Sequence, residues 1–226
     1  MADQYFGQQN SFDDSSEFNV TRFIVRQALG RVRTSIPVKV TAVHGGGVGT
    51  PPTVDVQPVV NQIDGQGNKT AHGTIFGIPV LRVQGGKNAI ICDPVADDIG
   101  YLVVADRDIS AVKANAGKVS NPGSFRRHNL ADGVYVGAIL NPANPTQYVQ
   151  FTTSGMKLVD KNGNVVEMKS GEISITATKV SITGDLAVSG AITAAGEITA
   201  GQGGADSVTL QQHVHAGNNI PPTPGT

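Results

Sequence analysis

Aromatic residues are scarce in this chain, at 5%, tryptophan is absent, and no aromatic follows Phe151. Hydrophobic residues reach only 39%, below the usual share for a globular domain. With 28 glycines, this composition favours an all-β, turn-rich chain with a slender core over a compact enzyme. A single cysteine, Cys92, excludes an intrachain disulfide framework. It ends the apolar run Ala89-Ile90-Ile91-Cys92, which predicts a buried, inert thiol. No apolar run approaches the roughly eighteen residues that a transmembrane helix needs. The start, Met1-Ala2-Asp3-Gln4, lacks the basic-then-apolar order of a signal peptide. Synthesis in a cytoplasm is therefore expected, with any membrane met from outside. The formal net charge of -1 offers no basic surface to draw nucleic acid. Beyond residue 170 the balance turns acidic, with Lys179 against Glu172, Asp185, Glu197 and Asp206.

Turn chemistry divides what is present. Residues 1–14 are polar with scattered aromatics (Tyr5, Phe6, Phe12) and read as an arm. Asp13-Asp14-Ser15-Ser16 supplies N-cap candidates for a helix over 17–31. On that helix Phe18, Val25 and Leu29 share a face, with Arg22 at its margin and Gly30 near the end. Five strand-like runs follow, over 35–43, 54–63, 73–83, 88–92 and 99–105. They are separated by Gly45-Gly46-Gly47, Pro51-Pro52, Asp64-Gly65-Gln66-Gly67-Asn68, Gly85-Gly86 and Asp97-Asp98, all turn formers. Five short strands at this spacing suit a small barrel such as the OB-fold, though a small sandwich or SH3-like barrel gives similar spacing. A short helix or turn over 108–116, a strand over 134–140, and strands over 148–152, 156–159 and 165–168 come next. Asp160-Lys161-Asn162-Gly163-Asn164 between the last two reads as a hairpin turn.

The last stretch carries the longest pattern. From Ile182, every second residue is apolar or very small: Ile182, Gly184, Leu186, Val188, Gly190, Ile192, Ala194, Gly196, Ile198, Ala200. This is strand periodicity, sustained far beyond the usual five or six residues or so. Its inner face is thin, and a lone ribbon would leave that face wet and its edges unpaired. Identical copies wrapped around a common axis solve this, since small inward residues let backbones approach. Three copies give an intertwined triangular β-prism or β-helix, with Gly184, Gly190 and Gly196 at corners. The alternatives are a sandwich edge or a low-complexity linker.

His213 and His215 follow the run. Histidines at i and i+2 on a strand face the same way. One chain supplies two imidazoles, an incomplete site. Three chains around an axis supply six nitrogens, which suits octahedral Fe²⁺, one ion per trimer, better than tetrahedral zinc or another metal. A filled shell is structural, not catalytic, and metal binding then adds to assembly. His-x-His taken alone also describes an ordinary pair of solvated histidines. The Pro/Gly/Thr-rich end, 216–226, is either a tail or a compact cap.

Catalytic patterns are sparse. Gly45-Gly46-Gly47-Val48-Gly49 follows a strand, but no Walker Lys-Ser/Thr or dinucleotide pattern accompanies it. His44 and His72 lie in or beside loops and could meet in space. Two other functions stay open: an oligosaccharide- or nucleic-acid-binding OB module, for which the barrel offers only Phe76 and Tyr101 as stacking aromatics, and a metal-dependent hydrolase built on His213 and His215.

The order of a small barrel, a Gly-punctuated strand run, His-x-His and a Pro/Gly/Thr-rich end resembles the central spike of contractile-tail bacteriophages and the spikes of phage-like bacteriocins. The specific pieces are His213-Val214-His215 with Gly217 and Pro221-Pro222-Thr223, and the segment Arg127-His128-Asn129-Leu130-Ala131-Asp132-Gly133. The resemblance spans residues 35–226. It implies a virion tail-tip homotrimer that is not an enzyme. Its OB-fold would sit on the baseplate hub, its β-helix would project outward, and iron on the paired histidines would stiffen the apex. Contraction of the tail would drive that tip through the host outer membrane, with no nucleic acid bound. The N-terminal arm and helix fall outside the resemblance, and the chain has no room for the lysozyme domain of larger spikes. The expected organisation is thus all-β. An N-terminal arm and helix occupy 1–34, an OB-fold-like barrel 35–112 and connecting strands 113–150. An intertwined trimeric β-helix or β-prism shaft follows over 151–210, and a pointed metal-binding apex over 211–226.

Overall fold

The computed structural model describes residues 9, 11–137, 139–141, 143–201 and 208–209. Among the described residues the chain is mostly β with two α-helices, and it divides into two compact units, 1–145 and 146–226.

The first unit opens with α1, Glu17–Leu29. Ser16 caps it, its hydroxyl accepting from the Asn19 N–H at 3.2 Å. Asp13 reaches Arg26 at 3.4 Å, and the Arg26 guanidinium lies 5.6 Å from the centre of the Phe23 ring. No residue of α1 is buried, so these local contacts supply its order.

Strands β1 (Ser35–His44), β2 (Thr53–Pro58), β3 (Gln62–Ile63), β4 (Lys69–Thr70), β5 (Ile75–Pro79), β6 (Val83–Gly85), β7 (Asn88–Ile90) and β8 (Ile99–Val104) follow. Then come α2 (Ser110–Ala114), a single 3₁₀ turn at Leu130–Asp132, and β9 (Gly133–Val136). Five of these strands form one antiparallel sheet in the order β5-β2-β1-β8-β9. The sheet curls into a half-barrel, and its two outer strands approach through a parallel bridge between Val80 and Tyr135. The Leu81 N–H donates to the Tyr135 carbonyl at 2.9 Å across the same seam. Strand alternation fills the interior. Val38 and Val40, Val54 and Val56, Ile78, Leu102 and Tyr135 form the buried core. A bulge at Thr41 in β1 re-aims the strand beyond Val40, which tightens its twist.

Three of the expected runs change shape. The run over 54–63 breaks after Pro58. Its end pairs with β4 across a turn in which the Asp64 carboxylate accepts from the Gln66 and Asn68 N–H groups at 2.9 and 2.8 Å. The run over 73–83 ends at Pro79. The run over 88–92 does not join the main sheet; it pairs with β6 as a separate hairpin. Gly133–Val136 takes the fifth place instead. Cys92 is consequently exposed, which corrects the expectation of a buried thiol: a two-stranded hairpin has no second layer to cover it.

Gly100 permits the closure. A Cβ there would lie 2.6 Å from two atoms of the Tyr135 ring and 2.5 Å from the Val136 carbonyl. Gly100→Ala should therefore cost roughly 2 kcal/mol, as overpacking in a closed core does, read as a lower urea midpoint.

The second unit is a meander of β10 (Tyr148–Thr152), β11 (Gly155–Val159), β12 (Val165–Lys169) and β13 (Glu172–Thr176), paired in sequence order. The turn over 160–164 forms as expected, with the Asp160 carboxylate accepting from the Asn162 and Asn164 N–H groups. Residues 177–198 carry no intrachain strand, and β14 (Thr199–Ala200) pairs with β15 (Val208–Thr209). Up to Ile198, the long alternating run thus has no partner strand among the described residues.

Candidate functional site

Register in the second unit sorts its side chains into two faces. Val149, Leu158, Val166 and Ile175 lie opposite one another across the four strands, and so do Phe151, Met156, Met168 and Ile173. Residues directly opposite share a face, and rows two residues apart share it too. One face is therefore apolar throughout. The other is mixed: Gln150, Lys157, Glu167 and Ser174 form its middle row, with Thr152, Gly155, Lys169 and Glu172 on one side and Tyr148, Val159, Val165 and Thr176 on the other. Among the described residues nothing in the unit buries the apolar face: none of residues 146–201 is buried, and Phe151 and Ile173 are 80% and 70% exposed. In sequence this face leads into Val180, Ile182, Leu186, Val188, Ile192 and Ile198, all exposed. A single-layer sheet of this kind marks an interaction surface.

A second cluster joins the 3₁₀ turn to α2. Asp108 and Asp132 are buried at 4% and 1% exposure. Arg126 bridges them. Its Nε and Nη2 donate to the two Asp132 oxygens at 2.7 Å each, and Nη2 also reaches Asp108 at 3.0 Å. The Ile109 N–H donates to Asp132 at 3.1 Å, while the Ser124 hydroxyl and Ser110 N–H donate to Asp108 at 2.7 and 2.8 Å. Ser110, chiefly through its side chain, and the Ser124 hydroxyl hold the Asp108 carboxyl far below the ordinary carboxylate range, with Arg126 adding and burial opposing. Hydrogen bonding to Asp132 raises the Arg126 pKa. Every carboxylate oxygen here is engaged, so the cluster works as a pin between elements.

The segment 127–133 contributes the turn itself. Asn129 caps it by accepting from the Ala131 N–H at 2.9 Å, and the His128 ring meets the Arg33 carbonyl at 3.3 Å. His44 and His72 do not bond to each other. His44 pairs with Asp55 at 2.9 Å, and this bond is the main reason the Asp55 pKa falls. His72 contacts Gln62 at 3.1 Å beside a cleft of about 580 Å³. Burial, then the charge of Arg33, lowers its pKa. Phe76 and Tyr101 stand on β5 and β8 with β2 and β1 between them, so they do not make one stacking platform.

His213 and His215 lie outside the described residues. Among the described residues, no three His, Cys, Asp or Glu side chains gather to hold a metal ion, and no helix is long and apolar enough to cross a membrane. The apolar sheet face is carried by the alternation over 148–176, a shorter signal than the run over 182–200. The Asp108–Arg126–Asp132 cluster has no spacing signal, since its members meet only after folding. No protein-family model and no curated protein matches this chain.

Proposed function

We propose that this chain is the homotrimeric spike of a contractile tail, a structural protein that is driven through a bacterial outer membrane. One observation carries the reading: an apolar sheet face, in a unit with no buried residue among those described, leads straight into an exposed alternating apolar stripe. Three copies packed on those faces give the unit the core it lacks alone, and the strands of 177–198 gain partners from neighbouring chains. Interchain hydrogen bonds along such a shaft supply stiffness. The polar row of Gln150, Lys157, Glu167 and Ser174 then faces water. The curled sheet supports an OB-fold reading of the first unit, because its order β5-β2-β1-β8-β9 with a parallel contact between the outer strands is the connectivity of that barrel. This barrel would seat the spike on its baseplate hub.

His213 and His215 fit a metal clamp at the tip by the chemistry of their donors. Six neutral imidazoles from three chains suit Fe²⁺ and leave no open position for catalysis. Native mass spectrometry with elemental analysis tests the proposal. Three chains with one iron are expected, and His213→Ala with His215→Ala should release the iron while keeping the trimer. A metal-free monomer of the unaltered chain would overturn the shaft and the spike together.

A further inference from the structure

The parallel bridge between Val80 and Tyr135 stands beside a recess of about 290 Å³. Val80, Leu81 and Pro94 give it apolar walls, and Cys92, Asp98 and Tyr135 also line it. Tyr135 is 1% exposed, yet its hydroxyl has no hydrogen-bond partner. A buried hydroxyl left in that state is costly and uncommon. It stays protonated, because burial, then the charge of Asp98, pushes its pKa up to about 12.

Asp98 is the second group of interest, a hydrogen-bonded carboxylate without a cationic partner among the described residues. It is half-buried and accepts from the Val95 N–H and the Asn141 amide, each at 2.8 Å. Among the described residues, no Lys, Arg or His pairs with it. The neighbouring Asp93 is already matched by Arg82 at 3.1 Å. The recess thus holds one uncompensated carboxylate and one unpartnered hydroxyl between short apolar walls.

We propose that this recess binds an alkylammonium group, its N–H donors shared between Asp98 and the Tyr135 hydroxyl and its methylene stem laid against Val80, Leu81 and Pro94. An ammonium has three donors and no acceptor, which matches two oxygens that both lack a cationic donor. A carboxylate ligand would meet Asp98 with like charge, and a wholly apolar one would leave the Tyr135 hydroxyl unpartnered and Asp98 without a cation. The group has two sources with the same chemistry: a free alkylamine, or a lysine side chain on a partner protein. The proposal stands independently of the spike reading.

Calorimetric titration of the full chain with cadaverine, and separately with Nα-acetyl-lysine methylamide, tests it against sodium chloride at matched ionic strength. Cys92, the only cysteine, reports the location through its rate of alkylation by iodoacetamide. Saturable binding that slows alkylation is expected. Asp98→Asn should weaken it on the order of tenfold to a hundredfold, the worth of a hydrogen bond to a charged group. Leu81 is 58% exposed and tolerates change; Leu81→Lys, whose own ammonium can enter the recess, should abolish binding. Cadaverine alone binding assigns the site to free amines, and binding of both probes assigns it to lysine side chains as well. No heat with either probe, equal protection by salt, or binding untouched by Asp98→Asn and Leu81→Lys would each overturn the proposal.

Discussion

Leu158→Glu is expected to turn a three-chain assembly into single chains. Leu158 sits on β11, an inner strand of the four-stranded sheet, in the apolar row with Val149, Val166 and Ile175. In the proposed assembly that row packs against its counterparts on two other copies. Each exposed side chain of the face gains on the order of 1 kcal/mol or more on leaving water. A carboxylate in the same place reverses the sign. Its desolvation costs several kcal/mol per ion in real proteins, and threefold symmetry applies that cost three times around one axis. The first unit, with its own core of Val38, Val40, Val54, Val56, Ile78, Leu102 and Tyr135, should keep its fold. Sedimentation velocity at micromolar concentration reads the outcome. The control is Gln150→Glu on the opposite face, directly across from Lys157, which should leave the assembly intact. A Leu158→Glu protein that still sediments as three chains would remove the sheet face as the seat of association.

Local chemistry decided how much of this was legible in the sequence. The helix over 17–29 and its Ser16 cap follow from a cap residue and a periodic face, and both are present. The Asp64 and Asp160 turns follow from side chains that bond to their own backbone. Runs that depend on distant partners were harder. The stretch 88–92 has strand composition, but composition does not say which neighbour a strand will take, and the fifth place in the sheet went to Gly133–Val136. Cys92 was misread for the same reason, since an apolar run implies burial only when a second layer exists to cover it. The run over 182–200 reads as strand in sequence and finds no partner over 177–198 in one chain. Of the proposed metal site, the sequence offers only the His-x-His spacing of His213 and His215, which lies outside the described residues. The unpartnered Tyr135 hydroxyl and the Asp108–Arg126–Asp132 cluster are not legible, because nothing in a linear pattern brings the 3₁₀ turn, the segment before α2 and the loop at Arg126 to one point, or sets Tyr135 beside the recess.

That cluster carries the other large expectation. Asp132→Ala should lower the stability of the first unit by about 3 kcal/mol, the lower end for breaking a buried ion pair, because Arg126 is itself 39% exposed. The loss has two parts. The Ile109 N–H is left without its acceptor, and the guanidinium keeps only Asp108. Acid should act on the same pin through Asp108. Its folded pKa is depressed below the unfolded value of about 3.9, so the folded state holds fewer protons and gains stability as pH rises. This contribution is complete above the unfolded pKa. It fades as pH falls toward the lower folded value, when Asp108 takes up a proton and the acceptor for Ser110, Ser124 and Arg126 is lost. Asp108→Asn removes the titrating group. Urea midpoints of the two proteins should therefore differ by a constant amount near neutral pH and draw together progressively as pH falls below the unfolded value of about 3.9, since the difference closes fully only once both states are protonated. Parallel curves down to pH 2 would mean that Asp108 does not link protons to the fold, and that the pin rests on Asp132 and Arg126 alone.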